Sequence, residues 1–227
     1  MENSPNPELL RSLGKLVRGL SALFWGLPIA LIVCAETAEV RFLQPVGIVP
    51  AIIANALILF GLRQMSHFQK QERPWRNALD RAKLLGLVNL GLCPFLFWFN
   101  RMPEEFYFRA GIFVFLLSAL LFLFNLNVVI KQLGAMLPDE TLRQETRQFT
   151  VLNRWMLVIW IVVVAVSILA LELFDLPAFF DDRNWALAQH LDVSLLLFLG
   201  LSPLAVTMAL IWKTKQIILD SVFGARS

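Results

Sequence analysis

Six stretches of the chain are almost wholly apolar: 19–35, 45–62, 84–99, 110–130, 155–171 and 193–212. Each approaches the roughly 20 residues that a helix needs to cross about 30 Å of hydrocarbon. Polar segments separate them, and their character alternates. Segments 1–18, 63–83, 131–154 and 213–227 are basic, whereas 36–44, 100–109 and 172–192 are acidic or mixed. The last of these carries Asp175, Asp181, Asp182 and Trp185. The pattern predicts an all-α polytopic membrane protein with six transmembrane helices. The first apolar run follows Arg11, Lys15 and Arg18 as a secretory leader would, with small residues near Ala35 and Ala38. Its length makes a true span the expectation.

The basic segments fix an orientation. Sixteen of the 20 Lys and Arg residues fall in the four segments on the side of the termini. The other four, Arg41, Arg101, Arg109 and Arg183, fall opposite. Lys and Arg near helix ends stay in the cytoplasm, so both termini are expected inside. Acidic residues divide almost evenly, as they should if they contribute little to orientation.

The apolar runs also repeat in pairs. Arg63-Gln64, Lys131-Gln132 and Lys215-Gln216 stand at the ends of the second, fourth and sixth, as a cationic foot. Pro7, Pro74 and Pro138 precede the first, third and fifth, and Pro28 and Pro94 lie within the first and third. A recurrence of roughly 66 residues predicts an internal repeat of two-helix units: one transmembrane domain over 1–227 made of three tandem helical hairpins, 1–68, 69–137 and 138–227. Pro50 and Pro203 are expected inside the second and sixth spans, where each proline frees a backbone carbonyl. In plan the arrangement resembles mitochondrial carriers, whose odd helices carry a proline–acidic–basic motif. Here Pro28 is followed by Ile29 and Ala30, and Pro94 by Phe95 and Leu96, so the motif is absent.

The odd helices should outrun the bilayer. From Pro7 to Val33 a helix is about 40 Å long, and the excess belongs in a layer of helix ends at the basic side. Asn6 is a candidate N-cap for that helix, and Pro138-Asp139-Glu140 marks the start of the fifth.

Composition agrees. The chain is 58% hydrophobic and 16% charged, against about 25% charged in a soluble domain. No Asp, Glu, Lys, Arg or His falls near the middle of an apolar run. Such residues mark proton relays and ion paths, so a proton-coupled pump is disfavoured, and no catalytic residues, metal site or cofactor are expected. Cys34 and Cys93 form no CxxC motif and are expected to be small buried side chains. The polar residues that do enter the apolar runs include Asn55, Asn89, Asn125, Asn127 and Thr207, expected to face other helices because an unpaired amide is costly in hydrocarbon. Arg63, Lys70, Arg73, Arg76, Lys131 and Lys215 form a candidate cytoplasmic basic surface for anionic lipid headgroups or a protein partner. No nucleic-acid motif is present.

The expectation is a non-enzymatic scaffold or accessory subunit of a membrane complex in the bacterial cytoplasmic membrane. The alternative is a small-solute transporter or channel using the buried Asn residues. Topology is directly measurable: a fluorescent reporter fused to the C-terminus should mature in the cytoplasm, and a phosphatase fused after Arg41 should be active outside. The reverse pattern would invert the orientation.

Overall fold

The computed structural model describes residues 7–39, 47–69, 71–102, 105–136, 140–173 and 201–220, all helical apart from short turns and without a strand. Five helices have defined bounds: α1 Pro7–Glu39, α2 Val49–Met65, α3 Arg73–Arg101, α4 Phe106–Met136 and α5 Glu140–Leu173. The sixth, α6, covers 201–220. Three helical stretches, Leu10–Ala38, Arg73–Arg101 and Phe106–Met136, are long and apolar enough to cross a membrane.

The odd helices are long, as their sequences predict: α1, α3 and α5 have 33, 29 and 34 residues. Both α1 and α3 run unbroken through an internal proline, Pro28 and Pro94. Among described residues α2 is the short one, with 17 residues, or about 25 Å at 1.5 Å per residue. Gly47, with φ of +66°, turns the chain just before it, and Pro50 stands in its first turn. This corrects the sequence expectation for Pro50. In the first turn a proline lacks only an N–H that has no helical partner anyway, so it starts α2 instead of kinking it.

Two further boundaries depart from the sequence pattern. The loop expected over 100–109 shrinks, because α3 continues to Arg101 and α4 begins at Phe106. Of the three feet, Arg63 stands in the last turn of α2, which ends at Met65, whereas α4 continues past Lys131 to Met136 and α6 past Lys215 to residue 220. A half-buried lysine carries its charge outward on a four-carbon stem, so it need not stop a helix. The candidate N-cap Asn6, the Pro138-Asp139 start and the acidic segment from residue 174 lie outside the described residues.

Every helix buries a narrow seam. In α1 the buried positions include Leu16, Leu20, Leu23, Leu27, Ala30, Cys34 and Thr37, alternating by four and three, with Gly19 and Gly26 beside them. In α3 they include Trp75, Leu79, Ala82, Gly86, Asn89, Cys93 and Leu96, with the same alternation, and Ala78 beside them. A period of 3.5 suits helices that pack nearly parallel with knobs in holes. The opposite faces are no less apolar: Trp25, Ile29 and Ile32 on α1, Leu84, Leu87 and Val88 on α3, and Leu152, Trp155 and Ile159 on α5 are exposed. A bundle whose outside is as apolar as its inside suits lipid, not water.

Neighbouring helices pack in sequence, α1 on α2, α2 on α3, α3 on α4 and α4 on α5, and α1 also touches α3. α6 returns to α1, where the rings of Phe24 and Trp212 lie 5.3 Å apart. One core joins residues of α1, α2, α3, α4 and α6. It extends beyond the feet through Met65, Phe68, Trp75 and Leu133, all buried. The Trp75 indole N–H donates to the Phe68 carbonyl at 3.2 Å, tying the α2–α3 turn to α3. The basic end is therefore a packed layer, in agreement with the expected protrusion of the odd helices.

A close backbone crossing lies beside the first foot. A Cβ on Gly19 would come within 2.7 Å of the Gly61 carbonyl oxygen and of Met65 Cγ, and one on Gly61 within 3.0 Å of the Gly19 oxygen. Here α1 and α2 touch backbone to backbone, as small residues permit in membrane bundles. By contrast, a Cβ on Gly91 would meet nothing within 4 Å. Gly19→Ala should therefore destabilise the bundle by about 1–3 kcal/mol, the usual cost of overpacking. Gly91→Ala should be neutral or slightly stabilising through helix propensity. Unfolding of both variants in mixed micelles checks this, and equal behaviour would discount the crossing.

Candidate functional site

Four of the five polar candidates within the apolar runs fall into two clusters, each at a junction of three helices. The first joins α1, α2 and α3. Asn55 is buried on the α2 seam, and its Nδ2 donates to the Ala51 carbonyl oxygen one turn back at 2.9 Å. The same nitrogen lies 3.2 Å from Cys93 Sγ on α3 and 3.6 Å from Cys34 Sγ on α1. The Cys93 thiol has two carbonyl acceptors in reach, Asn89 O at 3.3 Å and Ala51 O at 3.7 Å. Cys34 and Cys93 are both free and buried, and the Asn55 amide lies against both sulfurs. Ala51 and Leu96 complete a small apolar cluster around them. Asn89, one turn before Cys93 and 5% exposed, has an Oδ1 with no hydrogen-bond partner.

The second cluster joins α4, α5 and α6, and its three members are fully buried. Asn127 Nδ2 donates to Leu123 O at 2.8 Å and to Thr207 Oγ1 at 3.0 Å. Asn153 Nδ2 faces three acceptors: Thr207 Oγ1 at 2.9 Å, Asn127 Oδ1 at 3.0 Å and Pro203 O at 3.2 Å. The Thr207 hydroxyl donates to Pro203 O at 2.7 Å. Each residue thus bonds to both of the others. Asn153 Oδ1, Thr150 Oγ1 one turn before it, and Ser118 Oγ on α4 are buried without partners.

Four of the five candidates, Asn55, Asn89, Asn127 and Thr207, are therefore interior seam residues. Asn125 is not part of either cluster: it is half-buried, and its Nδ2 returns to Leu121 O of its own helix at 2.9 Å. The sequence pattern missed three participants. The sequence predicts no more than small buried side chains at Cys34 and Cys93, and their meeting at Asn55 needs α1 beside α3. Asn153 sits in a segment read as polar and cytoplasmic, next to Arg154, whose guanidinium lies 4.6 Å over the Phe124 ring. Its signal was spacing: Thr150, Asn153 and Leu157 follow the three–four alternation of a buried seam.

The buried polar residues among those described are all Asn, Thr or Ser, with no ionisable carboxylate, amine or imidazole. No group of three or more His, Cys, Asp or Glu side chains that could hold a metal ion occurs among the described residues. The basic candidates lie elsewhere. Arg63, Arg73 and Arg76 are exposed, and Lys131 and Lys215 are half-buried. Lys70 lies outside the described residues. The Arg76 guanidinium is 4.0 Å from Asp80, which Lys83 also approaches at 3.3 Å, both pairs being solvated. The Lys215 ammonium sits 5.3 Å over the Trp212 ring. Among the described candidates Arg76 lines a small cleft with Ser66, Phe68, Trp75, Asp80 and Lys83.

No known family model matches the chain, and no curated protein or solved structure does either.

The α4–α5–α6 cluster makes a quantitative prediction. Interhelical hydrogen bonds in membrane proteins average about 0.6 kcal/mol and reach about 1.7 kcal/mol. Because Asn127 and Asn153 share both a direct bond and Thr207, a double-mutant cycle of Asn127→Ala and Asn153→Ala should give a coupling near the upper figure. Additive effects would mean that the two amides do not interact.

Proposed function

We propose that the chain is a six-span membrane protein built from three helical hairpins, with both termini in the cytoplasm. Its role is that of a non-enzymatic scaffold or accessory subunit of a complex in the bacterial cytoplasmic membrane. The observation that carries this reading is how the interior polar side chains are used: Asn55, Asn127, Asn153 and Thr207 bond to neighbouring helices. A solute path would need such groups free to exchange partners with a passing ligand, whereas a scaffold needs them engaged. The distribution of Lys and Arg supports the orientation. The order of helix packing, closed by α6 on α1, supports the hairpin repeat. The partner surface in this reading is the basic end, where Arg63, Arg73 and Arg76 stand exposed above a packed layer. Anionic headgroups contribute there at about 1 kcal/mol per basic residue near the surface.

Purification from native membranes in a mild detergent tests the reading. The chain should co-purify with a second protein in fixed ratio, and Arg63→Glu combined with Arg73→Glu should release that protein without changing the yield of the chain. A homogeneous particle containing this chain alone would end the scaffold reading.

A second reading, a small-solute transporter or channel, has its own observation: Asn89 Oδ1, Thr150 Oγ1 and Asn153 Oδ1 are buried and unpartnered, and such groups ordinarily bind water or a ligand. Solute flux in liposomes that is lost in Asn89→Leu, with folding retained, would favour it. Absence of flux across a broad solute panel would remove it.

A further inference from the structure

The α1–α2–α3 junction contains chemistry that the scaffold reading does not use. Cys34 and Cys93 are the only cysteines of the chain. They stand on two different helices, and a single amide nitrogen, Asn55 Nδ2, touches both sulfurs, at 3.6 and 3.2 Å. Two thiols held side by side from separate helices can exchange two S–H bonds for one S–S bond. Their surroundings then select the oxidant. Cys93 is fully buried and Cys34 is 7% exposed, within an apolar cluster flanked by Val33, Ile52 and Phe115. Burial among apolar side chains disfavours charged, water-soluble oxidants, and the neighbouring Leu31 and Ile32 are exposed on the outer face of α1.

We propose that Cys34 and Cys93 form a thiol–disulfide couple inside the bilayer, oxidised by a membrane quinone. Both S–H bonds break and the Cys34–Cys93 S–S bond forms. The two electrons reduce the quinone ring, and the two protons go to its carbonyl oxygens, giving the quinol. The balance requires no water and no metal. Cys34, the more accessible sulfur, meets the quinone, and Cys93 closes the bond. Asn55 is a positioning residue: its amide holds both sulfurs while its other contact, to Ala51 O at 2.9 Å, anchors it to α2. The disulfide ties α1 to α3, so oxidation fastens the first hairpin to the second. The inference is independent of the scaffold reading, since it rests on the thiol pair alone.

The wild-type full-length chain, reduced and reconstituted into phospholipid liposomes containing ubiquinone, provides the test without relying on a variant that must fold. Quinol is followed by ultraviolet absorbance. Thiols are counted by the mass shift of a maleimide reagent after acid quench and denaturation. The proposal expects both thiols to vanish together, a single quinol to form per chain, and a reductant to restore both thiols. Oxidised glutathione supplied in the water should leave them unchanged over the same period. Cys34→Ser and Cys93→Ser, each eluting as a single peak in detergent, should each form no quinol. Three results would overturn it: both thiols still open to alkylation after quinone, equally fast oxidation by oxidised glutathione, or loss of one thiol without quinol.

Discussion

In hydrocarbon a polar group has no water to turn to, and each unsatisfied group costs several kcal/mol. The rest of this structure follows from that constraint. The backbone meets it by being helical throughout the described spans. Small hydroxyl side chains meet it within their own helix: Ser21, Thr37 and Thr214 each donate to a carbonyl four residues back. The larger amides have a longer reach, and Asn55, Asn127 and Asn153 use it to bridge helices. Polar residues therefore fix the azimuth of each helix more strictly than leucines can, because a rotation that merely trades one apolar contact for another would strand an amide.

Close packing makes those bridges possible. The hydrophobic effect gives little reason for helices to associate in lipid, so they gain mainly from dispersion and from bonds formed at short range. The Gly19–Gly61 contact brings α1 and α2 to backbone distance near the basic end. Further along the same pair of seams, Cys34 and Asn55 then meet. Glycine at the crossing and small residues such as Ala51, Ala54 and Ala30 along the seams keep the helices near enough for a side chain as short as asparagine to reach its neighbour.

The two ends of the bundle differ for the same reason. At the basic end Arg63 and Arg73 are exposed and Arg76 faces Asp80, while the layer beneath them is held by Met65, Phe68 and Trp75. The thiol pair, by contrast, is buried in an apolar cluster with Ala51 and Leu96.

Much of this was legible in the residues themselves. Six apolar runs, their alternating basic and acidic connections, the length of the odd helices and the burial of Asn55, Asn89, Asn127 and Thr207 all follow from the free energy of placing each residue type in lipid or water. That is a local property and is written along the chain. The long helices and the three stretches apolar enough to span bear it out. Exact ends were less legible. Pro50 starts a helix instead of bending one, because what a proline does depends on where the first turn falls. Lys131 and Lys215 sit inside helices, because a flexible cation can leave the apolar surface without ending the backbone that carries it. What only the tertiary structure decided was which seam faces which. The contact of Cys34 with Cys93, the entry of Asn153 into the network of Asn127 and Thr207, and the failure of Asn125 to join it depend on helix rotation and crossing. Those are set by the summed short-range packing of neighbouring helices, and no single segment contains that information.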